Sequence, residues 1–216
     1  MEQGSADDRS STAQGPAGRR EQLLRSALEV IVARGYADTR VADVAAHAGI
    51  SPALVIYYFK TRDHLLTEAL RYSGDAWYAA VTDRTASITT AVGRLTELVA
   101  MTCLPSADPA QRSEWLLWLD LWALSPRNPD VAAVRRKFDE RWREAFSTTV
   151  LSGQESGEFS AAADAGEFAV TLSALLDGLT VQIALEDPDV PPARAYELAM
   201  RYAAGQLGFS WDSSAS

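Results

Sequence analysis

Apolar positions recur at spacings of three and four along almost the whole chain, the mark of helices that bury one face, and no segment reads as a strand. The pattern predicts an all-α protein. The first helix presents Leu23, Leu24, Ala27, Leu28, Ile31 and Val32 to a core and stops at Gly35, a residue free to take the left-handed cap conformation. Thr39 then offers a hydroxyl cap to a short helix carrying Val41, Val44, Ala45 and Ala48, which Gly49 breaks. Ser51 before Pro52 repeats the start signal, because a proline's missing N–H costs nothing in a first turn; the third helix runs from there towards Tyr58. A long fourth helix is expected from Thr61 or Arg62 to about Val81. Further helices follow at about 85–103, 111–124, 129–151, 164–186 and 192–207. Pro105, Pro109, Pro126, Pro188 and Pro191 punctuate them, with Gly153 and Gly157 placed in a loop.

Two short helices joined by a turn containing Gly49 form a helix-turn-helix. Ala45 is small where two backbones approach, while Val44, Ile50 and Val55 are apolar where the pair faces the first helix. The other side of the third helix is then free. Pro52, Ala53 and Leu54 are compact enough to enter a major groove, where Ala53 or Leu54 could touch a thymine methyl. Tyr57, Tyr58, Lys60 and Arg62 are donors suited to phosphate oxygens, and Phe59 reads as core. With Thr39, Arg40 and Ser51 at the two helix starts, these make the expected DNA-binding set.

Charge sharpens that picture. The formal net charge is -9, but residues 17–64 hold seven basic against five acidic side chains, so the acidity lies in the rest of the chain. An acidic body behind a mildly basic N-terminal portion is what one polyanion-binding end requires. A single cysteine, Cys103, excludes an internal disulfide and a cysteine metal cluster, fits a reducing compartment, and reads as a small buried residue. With only His47 and His64, no Gly-rich phosphate loop and no metal spacing, neither an enzyme nor a metal site nor a cofactor is expected. No apolar run of membrane-spanning length and no signal-peptide core stand out, so a cytoplasmic protein away from the membrane is expected.

Residues 20 to 66 resemble the DNA-binding domain of TetR-family transcriptional regulators. The family's Thr-started helix, Ala, Ala-Gly-Val-Ser, Tyr-x-x-Phe and Lys-Glu-x-Leu positions are here Thr39, Ala45, Ala48-Gly49-Ile50-Ser51, Phe59 and Arg62-Asp63-His64-Leu65. Ile56 stands where the family usually has its phosphate-contacting tyrosine, with Tyr57 as the substitute, and Arg62 replaces the usual lysine. The resemblance implies a homodimer, a C-terminal helical ligand-binding domain, and repression released by a small molecule. The division expected is a tail at 1–18, a DNA-binding domain at 19–66, a ligand-binding and dimerisation domain at 67–209, and a tail at 210–216. The fourth helix would be the lever between the domains. A helical ligand-binding or interaction module without operator binding is the rival reading.

The body offers two sites. The stretch "EWLLWLDLWAL" is apolar nearly all round, with Trp115, Trp118 and Trp122 on one stripe that fits either plain core or cavity lining. Asp120 within it must be paired or face a cavity; an arginine from "RRKFDERWR" is the expected partner. Met101, Phe138, Trp142 and Asp177 complete the expected ligand-binding set with those four residues. The basic run from Arg135 to Arg143 reads as a solvated face. Asp164 and Glu167 resemble a capping box opening a helix with two apolar stripes, one with Phe168, Leu172, Leu175, Leu179 and Ile183, the other with Val170, Ala174, Val181 and Leu185. The first stripe, with Tyr196, Met200, Ala203 and Leu207 on the last helix, is taken as the dimer surface of an intermolecular four-helix bundle.

Overall fold

A computed structural model describes residues 15–104 and 110–211. The remaining residues, including Pro105, Pro109 and most of both expected tails, lie outside the described ones. Among the described residues the fold is all-helical: α1 (Pro16–Arg34), α2 (Val41–His47), α3 (Pro52–Phe59), α4 (Arg62–Thr85), α5 (Ala91–Cys103), α6 (Ala110–Leu124), α7 (Pro129–Ser156), α8 (Ala165–Ala184) and α9 (Pro192–Leu207). Local chemistry accounts for the starts. Ser51, Thr61, Thr90 and Asp164 each accept a backbone N–H in the first turn of the helix they precede, and the Asn128 side chain accepts two.

Helices α1 to α4 close a small head around Leu23, Ala27, Ile31, Val44, Val55, Phe59, Leu65 and Leu66, none more than 1% exposed. Each such leucine or isoleucine contributes about 1.5–3 kcal/mol by leaving water. This core is not confined to residues 19–66. Leu117 and Leu121 of α6 and Val131 and Phe138 of α7 belong to the same cluster, so the head is built partly from the body. A second cluster joins α5, α7, α8 and α9 around Leu95, Phe146, Leu172, Leu176 and Met200.

Several boundaries move. Helix α1 begins at Pro16, inside the expected tail, and Trp211 packs edge-on against Tyr196 at 6.0 Å, which ties down the start of the other. Gly153 is not a loop residue: it lies buried inside α7, where a Cβ would stand 2.1 Å from the Phe159 ring. The glycine lets α7 run on to Ser156 while Phe159 folds back over it. Contrary to the expectation that no stretch reaches membrane-spanning length, α8 is long and apolar enough by composition, with mean hydropathy 1.3. It nevertheless carries Glu167 and Asp177 and packs Phe168, Leu172, Leu176 and Leu179 into the core.

Candidate functional site

The α2–α3 pair carries the first site. Buried Val55 and Phe59 anchor α3, and its other side is open: Pro52, Ala53 and Tyr57 are exposed, Tyr57 by 68%, and Leu54 is half-buried. Ser51 accepts the Leu54 N–H at 3.3 Å, so its hydroxyl is committed to starting the helix. Tyr58 is half-buried against the head's core, edge-on to Tyr57 at 5.5 Å. Arg40 is exposed at the start of α2, where its N–H donates to Asp43 at 3.2 Å. Ile56, 41% exposed on the same face, belongs to this surface although no donor chemistry marked it.

Lys60 closes α3 in a tight turn. Its φ of +65° and ψ of -50°, with Thr61 N–H donating to Phe59 O at 2.7 Å, define a γ-turn of the strained positive-φ kind. The turn throws the side chain back over Tyr57, with Nζ 2.9 Å from the Tyr57 carbonyl and 5.2 Å from its ring. A cation and a phenol thus share one exposed edge.

Two residues of the expected DNA-binding set are placed elsewhere. Thr39 is fully buried, and its hydroxyl donates to Gly35 O at 2.8 Å instead of capping α2. Arg62 turns its guanidinium inward, donating to Thr39 O at 2.7 Å, to Ala37 O at 2.9 Å, to Tyr36 O and to Asp63 at 2.7 Å. The α1–α2 loop exposes three carbonyls to the start of α4, and a planar fork meets them better than a lysine could. Little of Arg62 is left for phosphate.

The second site lies in the body. Trp77 and Tyr78 of α4, Met101 and Thr102 of α5, Trp115, Trp118 and Trp122 of α6, Phe138, Asp139 and Trp142 of α7, and Asp177 and Thr180 of α8 surround one cavity. Five of the chain's six tryptophans meet there. Its free interior is about 70 Å³, against roughly 10–15 Å³ for one water, so it suits a small molecule. The rings meet edge-on, Trp77 against Trp142 at 4.9 Å and Trp118 against Phe138 at 5.5 Å. Sequence reasoning missed Trp77, Tyr78, Thr102, Asp139 and Thr180; the expected set reached the walls from α5 to α8 and none of the α4 wall.

Two carboxylates border the rings. Asp139 pairs with Arg135, one turn earlier on α7, and burial raises its pKa against the pull of Arg135 and Arg143. The Asp177 carboxylate has no hydrogen bond or ion pair among the described residues; its backbone carbonyl accepts one, from the Thr180 hydroxyl. Although the residue is exposed on α8, desolvation and then the charge of Asp139 push its carboxyl up to about 6, with Arg143 and Arg135 opposing. Cys103 stays apart, buried, its thiol pushed up to about 12 by burial, as an apolar filler would be.

Asp120 is not at the cavity, and it does not pair with an arginine of α7. Its Oδ2 accepts the backbone N–H of Tyr36, 2.9 Å away in the α1–α2 loop. Tyr36 is buried in that loop, only 3% exposed, and an N–H left without an acceptor there would cost about 1–3 kcal/mol. The expected dimer residues are also displaced: Phe168, Leu172, Leu179, Tyr196, Met200, Ala203 and Leu207 are buried within the protomer's own core, and Leu175 and Ile183 pack against it. The buried ones hold α8 and α9 to α5 and α7 and leave no surface for a partner, whereas Leu175 and Ile183 are only half-buried. The stripe left open on α8 is Val170, Ala174, Gly178 and Leu185, with Val181 half-exposed.

Fold and sites define the class: a helix-turn-helix transcriptional regulator that binds DNA and responds to a small ligand. Residues 23–69 match the profile of bacterial regulatory proteins of the tetR family, and residues 91–208 match the C-terminal domain of BetI-type transcriptional repressors. The chain belongs to the TetR family, with a body of the BetI type. It is 31% identical over 190 residues to the regulator BetI of Burkholderia mallei, covering 85% of this chain and 91% of that one. It is also 29% identical over 197 residues to BetI 1 of Chromohalobacter salexigens, covering 89% and 92%. Among solved structures, a transcriptional regulator of Saccharomonospora viridis in complex with choline superposes with a TM-score of 0.80 at 29% identity, over 88% of this chain and 98% of that one. A TetR-family regulator of Rhodococcus superposes with a TM-score of 0.76 at 26% identity, over 88% and 99%.

Proposed function

We propose that this regulator is a cytoplasmic homodimeric repressor that a small quaternary ammonium compound, choline or a close relative, releases from a palindromic operator. The observation that carries the effector class is the cavity itself, with five tryptophans and the unpaired Asp177 around one small space. Tryptophan faces attract a permanent cation that cannot donate hydrogen bonds, each contact contributing about 0.5–2 kcal/mol, and a carboxylate supplies the countercharge. The choline complex of the S. viridis protein points the same way. On the DNA side the reading assigns base contacts to Pro52, Ala53 and Leu54 and phosphate contacts to Arg40, Tyr57 and Lys60. The open α8 stripe is the proposed partner surface, where Ala174 and Gly178 allow two helices to approach closely. No catalytic role and no membrane role are proposed.

The test is a titration of tryptophan emission, or calorimetry, with choline and with 3,3-dimethylbutan-1-ol, its uncharged isostere. Saturable choline binding that the isostere fails to match by tenfold or more supports the reading. Equal binding of the two, or none of either, removes the cation from the account.

A further inference from the structure

We infer that Asp120 is the positioning residue through which the effector cavity sets the DNA-reading head, making α6 a second connection beside α4. The inference rests on the effector reading above.

Helix α6 has two working faces. At 3.6 residues per turn, Asp120 lies nearly opposite both Trp118 and Trp122, about 160° round the axis. The tryptophan face lines the cavity. The other face is built into the head, where Leu117 and Leu121 share a core with Leu23, Val44 and Phe59. Asp120 adds a directional link to that apolar contact, because its Oδ2 accepts the Tyr36 N–H at 2.9 Å.

What Asp120 grips decides what a shift of α6 can do. The Tyr36 segment joins α1 to α2, and Arg62 also binds it, through the carbonyls of Tyr36, Ala37 and Thr39. The segment is therefore held by both α6 and the first residue of α4. Thr39 ties it further to Gly35, so it transmits displacement instead of absorbing it. A ligand seated against Trp118 or Trp122 that favours one position of α6 favours one position of α2, and α3 follows through Val44 and Val55. Apolar packing alone would let α6 slide; a charge-assisted hydrogen bond to a buried N–H gives the contact one register.

The test uses the full chain, with choline as probe, and reads the exchange rate of the Tyr36 amide by NMR or mass-resolved hydrogen exchange, alongside tryptophan emission. Wild type should protect this amide, and saturating choline should change its exchange rate by about tenfold. Asp120→Ala should raise exchange with or without choline and leave choline affinity within about threefold, the two figures being the scale of one charge-assisted hydrogen bond and of an undisturbed site. Asp120→Asn keeps an acceptor and should restore part of the response. If Asp120→Ala retains wild-type protection, or retains the choline response at Tyr36, the inference is overturned. Absence of any emission change with choline in wild type would instead sink the effector reading. In that case Trp122→Phe replaces the ligand: a change in Tyr36 exchange in the wild-type background, but not with Asp120→Ala, supports the link, and no change in either overturns it.

Discussion

Lys60 combines strain with a charge at the end of the reading helix. A γ-turn with positive φ costs a lysine on the order of 1–3 kcal/mol that glycine would largely avoid. Lys60→Gly is therefore expected to raise unfolding free energy by about 1 kcal/mol in urea titration while weakening operator binding. The salt slope of binding should flatten by roughly 0.9 per half-site, because one phosphate contact is lost. A variant that is less stable, or that binds DNA with an unchanged slope, would break the link between the turn and the contact. Asp177 makes a different prediction. Its folded pKa of about 6 lies above the ordinary 3.8, so between those values the folded protein holds more protons than the unfolded one, and the group's contribution to stability falls as pH rises through that window. A cation needs the deprotonated form, so quaternary ammonium affinity should fall as pH drops below about 6, and Asp177→Asn should abolish that dependence. Calorimetry across about pH 4 to 8 checks both.

Helix identity was legible in the chain because the apolar spacing is regular and Ser51-Pro52, Asn128-Pro129 and Asp164 mark starts that the structure keeps. Which stripe of a helix meets what was not. Helix α8 is apolar on two sides, and periodicity alone ranks Phe168 to Ile183 equal to Val170 to Leu185; only packing against α5, α7 and α9 assigns the first to the protomer's core. The corrected stripe predicts that Leu185→Glu, at a side chain 67% exposed in the single chain, halves the mass seen by light scattering without loss of helical signal. Phe168→Glu should unfold the body instead. The run of α7 past Gly153 escaped notice for a similar reason, since a glycine reads as a break until the Phe159 ring is seen lying on it. Gly153→Ala should cost about 1–3 kcal/mol, the usual penalty of overpacking, in thermal or urea unfolding.

At the scale of the whole molecule, head and body are one mechanical unit. The division at residue 66 followed the reach of the family resemblance, yet Leu117, Leu121, Val131 and Phe138 fill the head's core, and Asp120 and Arg62 hold the same loop. The chain showed that a carboxylate inside an apolar helix needs a partner; that the partner is a backbone N–H 84 residues earlier is a fact of the fold. The cavity was legible wherever large rings recurred on a helical stripe and hidden where the wall is a threonine or an α4 residue. On the proposed function, a small permanent cation in the body changes the grip of the head on DNA. The measurement that tests it most directly is fluorescence anisotropy of a labelled fragment flanking the protein's own gene, titrated with protein at fixed salt, with and without choline and with 3,3-dimethylbutan-1-ol. Specific binding should weaken by tenfold or more with choline and stay unchanged with the uncharged isostere; specific binding indifferent to both, or weakened equally by both, would rule the cation out as effector.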